Sequence, residues 1–127
     1  MVRALHPTTI EITTDGSLTE RGDCIIGVGA ERGCAQLDET VRSGIRRTSS
    51  HVLLRLVVGP DSFLVRASGD PRLSLAHPHD MVVRKSSFVS DRTVAVGADS
   101  AAVDIPRRIV KKLRSPAVVG YLEIEVI

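Results

Sequence analysis

Three side chains that can bind a metal or transfer a proton fall within four residues, at His77, His79 and Asp80. Imidazole and carboxylate groups suit zinc, manganese or iron, and Pro78 restricts the backbone of the residue before it. A second His-Pro pair begins at His6. We therefore predict a site with His6, His77, His79 and Asp80 as metal ligands or acid–base groups. The competing interpretation is that each imidazole bonds only its own loop.

Basic and hydroxyl side chains near these histidines predict an anion-binding site. A guanidinium group carries a permanent charge and can bind phosphate or carboxylate through two parallel hydrogen bonds. The predicted ligand-binding residues are Thr8, Thr9, Arg21, Asp23, Arg84, Lys85, Asp91 and Arg92. The competing interpretation is structural, because Arg and Asp lie together before two predicted strands and could hold those loops as ion pairs.

Both groups of residues belong to an internal repeat, with units at residues 6–58 and 77–126. The matching residues are His6 and His77, Asp23 and Asp91, Gly29 and Gly97, Leu37 and Ile105, Val41 and Ile109, and Ile45 and Leu113. The last three pairs have the i, i+4, i+8 spacing of one helical face. We predict a duplicated unit that folds about a pseudo-twofold axis, which would bring His6 and His77 into one pocket.

The elements of each unit follow from its hydrophobic pattern. Strands are predicted at 8–14, 24–28, 52–58, 62–66, 81–84, 93–96 and 120–127, and helices at 37–47 and 105–113. Asp104 is the predicted N-cap of the second helix. The fold class is mainly β with two short helices (α+β). Two pseudo-symmetric β-β-α-β repeats would build a β-sandwich, a closed barrel or an interleaved double-psi barrel.

Composition limits the alternatives. A chain of 127 residues with 43% hydrophobic and 25% charged residues fits one globular domain, 1–127. No apolar run approaches the roughly 20 residues of a membrane span, and the first residues do not resemble a signal peptide, so a cytoplasmic location is predicted. Cys24 and Cys34 are interpreted as buried apolar residues, with a disulfide as the alternative.

The motifs also carry a family resemblance over nearly the whole chain. They are His6-Pro7-Thr8-Thr9, Arg21-Gly22-Asp23-Cys24-Ile25-Ile26-Gly27-Val28, His77-Pro78-His79-Asp80-Met81-Val82-Val83-Arg84-Lys85-Ser86, Ser90-Asp91-Arg92-Thr93 and Ala98-Asp99. With these motifs the chain resembles the archaeal domain-of-unknown-function 371 family. The resemblance implies a small, β-rich, cytoplasmic archaeal protein without an established activity, and it assigns no catalytic residue.

Together these patterns predict a protein that binds a small anionic metabolite, with or without a divalent metal, and either acts on it or only binds it. The alternative is a non-catalytic nucleic-acid-binding or assembly module. It would use the basic helix residues Arg107, Arg108, Lys111, Lys112 and Arg114. Nucleic acid is the less favoured partner, because the net charge is only +2 and the chain has two Phe and one Tyr for base stacking. No membrane partner is predicted, and the sequence leaves a homo-oligomer open.

Overall fold

The computed structural model describes residues 2–16, 23–115 and 117–127. Its strands are β1 Thr9–Thr13, β2 Ile25–Gly27, β3 His51–Val58, β4 Asp61–Ser68, β5 Asp80–Arg84, β6 Thr93–Ala95 and β7 Tyr121–Val126. Its α-helices are α1 Glu39–Ile45 and α2 Arg107–Leu113, each preceded by a 3-10 helix, Cys34–Gln36 or Ala102–Asp104. The predicted α+β class is confirmed. Neither α-helix in this part of the chain is long and apolar enough to cross a membrane.

The strands form two sheets, and each sheet contains strands from both halves of the chain. The four-stranded sheet has the order β2-β1-β5-β6, and the three-stranded sheet has the order β4-β3-β7. An isolated antiparallel bridge between Ser68 and Val96 links the two sheets. Because β2 and β7 are not paired, the strands of the described residues do not close into a barrel, and that alternative is wrong.

The core lies between the two sheets. Ile10 and Met81 from the first sheet and Leu54 and Val65 from the second line the same interior space. Successive residues of a strand point to opposite faces. Glu11, which follows Ile10 in β1, therefore lies on the outer face of the four-stranded sheet, away from the core.

Each sheet contains one antiparallel pair of strands that are far apart in sequence, β1 with β5 and β3 with β7. Glu11 lies opposite Val82 in the β1–β5 pair, and Leu54 lies opposite Ile124 in the β3–β7 pair. The outer strands of the first sheet run parallel to their neighbours. Glu11 pairs with Ile25 on β2, as Val82 pairs with Thr93 on β6.

Several backbone hydrogen bonds occur twice, at positions shifted along the chain by a nearly constant number of residues. With the N–H donor written first, the matched bonds are His6–Asp23 with His77–Asp91, Val103–His6 with Ala35–His77, Thr14–His79 with Lys85–Thr8, and Gly29–Asp15 with Gly97–Ser86. Two buried residues with left-handed backbone conformations also correspond. Ala4 (φ 51°) and Leu75 (φ 53°) each lie two residues before a His-Pro pair.

The start of the second helix differs from its prediction. The Oδ2 atom of Asp104 accepts a hydrogen bond of 2.8 Å from the backbone N–H of Ala101 and closes the second 3-10 helix. Pro106 is the residue at the N-cap of α2. Asp104 is therefore not the cap of α2, because its side chain is used one turn earlier.

Candidate functional site

Each His-Pro segment is closed by hydrogen bonds from its own backbone to its imidazole. The Nδ1 atom of His77 accepts from the N–H groups of His79 (3.1 Å) and Asp80 (2.8 Å). Nδ1 of His6 accepts in the same way from the N–H groups of Thr8 (3.2 Å) and Thr9 (3.1 Å). In the neutral imidazole the proton therefore lies on Nε2, because Nδ1 must be the acceptor.

The register of β1 and β5 separates the two His-Pro segments. Thr9 lies opposite Arg84, and Thr13 lies opposite Asp80. The segment of His6 thus precedes one end of the strand pair, and the segment of His77 precedes the other. The five residues of β1 between these ends span about 14 Å. The structure does not bring His6 into one pocket with His77, because antiparallel strands begin at opposite ends.

A cluster of charged side chains surrounds His77 on the outer face of the four-stranded sheet. Arg92 places Nη1 3.0 Å from Oδ2 of Asp80 and Nη2 3.7 Å from Oε1 of Glu11. Nε2 of His77 lies 3.8 Å from the same Oδ2 atom of Asp80. Glu11 and Asp80 are buried, whereas the Arg92 side chain is 44% exposed. The cluster therefore joins two buried carboxyl groups to a guanidinium that solvent can reach.

Burial of Glu11 raises the pKa of its carboxyl group, and the nearby Arg92 charge partly opposes this rise. At pH values above the ordinary pKa of a glutamate, the carboxyl group of Glu11 therefore holds a proton more often in the folded protein than in the unfolded chain. The contribution of Glu11 to stability is therefore largest at acid pH and falls as the pH rises through the raised pKa. This is opposite to the behaviour of a carboxylate stabilised by an ion pair.

We expect Glu11→Gln to raise the free energy of unfolding near neutral pH and to have little effect near pH 3.5, below the ordinary glutamate pKa of about 4.3. The amide cannot ionise, so the cost of burying a carboxylate disappears. Urea unfolding at both pH values checks this, with the exposed Glu125→Gln as the matched control. A larger loss of stability at neutral pH than at acid pH would mean that the attraction of Arg92 outweighs burial.

Arg84 lies beside this cluster and bonds to hydroxyl groups. Its Nε atom donates to Oγ1 of Thr93 (2.8 Å), and its Nη2 atom is 3.4 Å from Oγ of Ser90. Its guanidinium carbon lies 4.9 Å from the ring centre of Phe88. Burial lowers the pKa of Arg84, and the like charge of Arg92 lowers it further. Arg84 thus bonds to the residue that follows Arg92, and the two positive charges act on each other unfavourably.

Asp91 touches this cluster through its backbone carbonyl, which accepts from the N–H of His77, whereas the remaining predicted ligand-binding residues make other contacts. Asp23 pairs with Arg3, whose Nη2 atom is 2.8 Å from Oδ1 of Asp23. Thr8, Lys85 and Asp91 are exposed. Thr9 is half-buried, and its hydroxyl lies 3.0 Å from Nδ1 of His6. Arg21 lies outside the described residues. Of the predicted anion-binding set, the structure thus brings together Arg84 and Arg92.

The predicted metal ligands contact groups of their own chain. His79 lies near His77, with ring centres 6.2 Å apart, and its Nδ1 atom is 2.7 Å from Oγ1 of Thr14. Within residues 2–16, 23–115 and 117–127, no three His, Cys, Asp or Glu side chains converge as a metal site would require. Cys24 and Cys34 are both free. Burial raises the pKa of each thiol, that of Cys34 to about 12, so both are protonated at neutral pH.

Sequence reasoning missed Glu11, Thr93 and Ser90. Glu11 alternates with Ile10 and Ile12, a pattern that assigns it to a solvent-facing side. The missed signal is the continuous apolar run of β5 around Val82, which is typical of a strand buried on both faces. Because Glu11 lies opposite Val82, it is buried as well.

Most of the basic residues of α2 bond to the protein itself. Arg107 donates to backbone carbonyl groups, including those of Arg3 (3.1 Å) and Ala4 (3.0 Å). Arg108 and Lys112 both donate to Asp61, and these two hydrogen bonds lower the pKa of its carboxyl group. Nε of Arg114 donates to the carbonyl of Val2 (2.9 Å). These contacts give most of the basic side chains of this helix a role in holding the fold together.

The described residues define a two-sheet α+β protein with a charged cluster on the outer face of one sheet. The chain belongs to the family described as Domain of unknown function (DUF371), whose model matches residues 1–127. It is 38% identical over 113 residues to "Uncharacterized protein MJ0206" of Methanocaldococcus jannaschii. That match covers 89% of this chain and 83% of the relative. The family resemblance predicted from the motifs is confirmed.

Proposed function

We propose that the protein binds a small anion, such as a phosphate or carboxylate metabolite, between Arg84 and Arg92. The observation that carries this proposal is that Arg84 donates a hydrogen bond to Thr93, the residue next to Arg92 in the chain. Burial lowers the pKa of Arg84, and the like charge of Arg92 lowers it further. A bound anion would relieve their repulsion and accept hydrogen bonds from both. The hydroxyl groups of Ser90 and Thr93 lie within hydrogen-bonding distance of Arg84 and support this assignment.

The neighbouring acid–base groups suit a ligand that carries an exchangeable proton. Glu11 has a raised pKa, so it keeps its proton to a higher pH than an exposed glutamate. Nε2 of His77 lies close to Asp80, which also bonds to Arg92. These groups would supply proton donors and acceptors beside the anion. The proposal does not require a metal, because Nδ1 of both His6 and His77 already accepts backbone hydrogen bonds.

The test is a titration of the protein with inorganic phosphate and with malonate at low salt, followed by calorimetry and by amide chemical shifts. We expect Arg84→Gln to weaken binding roughly tenfold or more, since it removes hydrogen bonds to a charged group. Arg84→Lys should recover only part of the affinity, because lysine keeps the charge but not the planar fork.

The matched control is Arg66→Gln, which removes one exposed arginine from β4. It should leave the affinity for both anions nearly unchanged. An equal loss in Arg66→Gln and Arg84→Gln would show only a general charge effect. The proposal also fails if the parent protein binds neither anion at low salt, where the attraction is strongest.

We further infer that the chain is a duplication, with units 6–58 and 77–126 related by a pseudo-twofold axis. The repeated hydrogen bonds and the left-handed Ala4 and Leu75 support this inference. So do the pairings of Glu11 with Val82 and Leu54 with Ile124, which join residues at corresponding positions of the two units. An axis between Glu11 and Val82 would pass beside the charged cluster.

The duplication would give only one anion site, because the charged groups differ between the units. Arg84 corresponds to Thr13 in the first unit, and Arg92 corresponds to Cys24. Neither replacement can donate hydrogen bonds from a fixed positive charge. The anion should therefore bind with a stoichiometry of one per chain, which the same calorimetric titration measures.

We do not extend the proposal to nucleic acid. Four of the five basic side chains of α2 and its C-cap contact acceptors in their own chain, as described above. Binding of phosphate backbones requires several cations that are available together on one face. Arg84 and Arg92 also contact acceptors of their own chain, and Arg92 stays 44% exposed, so this pair suits a small ligand and not an extended phosphate backbone.

A further inference from the structure

The strand β7 has an unpaired edge among the described residues. It pairs with β3 on one side only, at the end of the order β4-β3-β7. The side chains of β7 alternate between exposed and half-buried, whereas those of β3 that face the core are buried. Four large apolar side chains near this edge are exposed, and they are Val118, Val119, Tyr121 and Ile127.

The backbone groups at this edge can be assigned from the pairing with β3. His51 and Ile127 donate to each other, at 3.3 and 2.9 Å, so they form a hydrogen-bonded pair. Such pairs alternate along antiparallel strands. The N–H and C=O groups of Leu122, Ile124 and Val126 therefore point away from β3. They form a row of donors and acceptors that another strand could satisfy.

The charges on β7 define the strand that would fit this edge. Glu123 and Glu125 are exposed on the outer face of β7. On the side of β3, Arg55 lies directly opposite Glu123, with Nε 3.8 Å from Oε2. Opposite charges across neighbouring strands are favourable. A strand on the other side should therefore carry Lys or Arg at the outward positions and apolar residues at the positions between them.

A second copy that pairs through the middle of its own β7 does not meet this requirement. Two β7 strands related by a twofold axis would place a glutamate opposite a glutamate when the axis lies at Glu123, Ile124 or Glu125. Like charges directly opposite each other are destabilising. We propose that the free edge of β7 binds an extended segment of another protein, in which basic and apolar residues alternate.

The test uses two capped six-residue peptides, one of alternating Lys and Val and one of alternating Glu and Val. The Lys-Val peptide should shift the amide signals of Leu122, Ile124 and Val126 in the full-length protein. The double variant Glu123→Lys with Glu125→Lys should weaken its binding on the order of tenfold, from two reversed cross-strand charge pairs. The same variant should gain affinity for the Glu-Val peptide.

The control variant reverses two exposed glutamates outside the sheets, Glu31→Lys with Glu39→Lys, and so has the same net charge. It should bind the Lys-Val peptide nearly as the parent does, since neither residue lies on β7. Equal weakening in both double variants would overturn the proposal. So would peptide-induced shifts confined to other strands, or shifts of residues 122–126 that appear on concentrating the protein alone.

Discussion

Gly69→Ala should destabilise the protein by about 3 kcal/mol or more, the range of severe backbone overpacking. A Cβ atom at position 69 would overlap the carbonyl oxygen of Ile45 and Oγ of Ser50. The backbone cannot move aside easily. Gly69 donates its N–H to the carbonyl of Ser50, and Asp70 donates to that of Ile45, both at 2.9 Å. If the backbone moved to relieve this overlap, it would break these two hydrogen bonds, which join residues 45 and 50 to residues 70 and 69.

Urea unfolding followed by circular dichroism measures this effect, with Gly16→Ala as the control. A Cβ atom at Gly16 meets no atom within 4 Å, so that variant should change stability by no more than about 0.5 kcal/mol. If Gly69→Ala does not express in folded form, Gly69→Ser should fail as well, whereas Gly16→Ala should fold. A midpoint for Gly69→Ala equal to that of the parent would contradict the close approach.

Leu54→Ala should cost about 3 kcal/mol, and Ile124→Ala should cost clearly less, about 1 kcal/mol. The two residues lie opposite each other in the β3–β7 pair. Leu54 is 2% exposed and also has Val65 opposite it on β4. Ile124 is half-buried and has a neighbouring strand only on the β3 side. Truncation to alanine therefore leaves an enclosed cavity at Leu54, whereas at Ile124 it leaves a gap that is partly open to solvent.

Urea unfolding of both variants and of the double variant measures the losses and the coupling between the two residues. We expect a measurable coupling, because the side chains are in cross-strand positions. Equal losses for the two single variants would show that the edge of β7 is covered in solution. That result would also count against the binding of a peptide at this edge.

Much of the fold could be predicted from the sequence, because its elements have clear periods. The helices appear in the i, i+4, i+8 spacing that ends at Ile45 and Leu113, and both residues belong to α-helices. The strands predicted at 52–58 and 62–66 are separated by Gly59-Pro60-Asp61, which indicates a turn. They correspond to the antiparallel strands β3 and β4, with Gly59 at φ 58°. Hydrophobic period and turn residues are local signals, so one sequence is enough to detect them.

The candidate site could be predicted only in part, because it depends on pairing between distant strands. His77, Asp80, Arg84 and Arg92 were recognised from their residue types, and these side chains lie in or beside one cluster. Glu11 joins them only because β1 lies next to β5, a register that local patterns do not encode. The same register keeps His6 away. Without the strand order, two loops that correspond in the internal repeat could not be distinguished from two loops that are neighbours in the fold.

The antiparallel pairing of β1 with β5 and of β3 with β7 has a consequence for how the chain folds. Each pair joins strands from opposite halves of the sequence, such as Glu11 with Val82 and Leu54 with Ile124. Neither of these two pairs can form until a long loop has closed, and the entropy of closure must be lost before the contacts form. Proteins dominated by such non-local strand pairing fold on a scale of roughly milliseconds to seconds. A ribosome that has released only the first part of the chain would therefore hold β1 without β5 and β3 without β7, with only the local pairs of β1 with β2 and of β3 with β4 able to form.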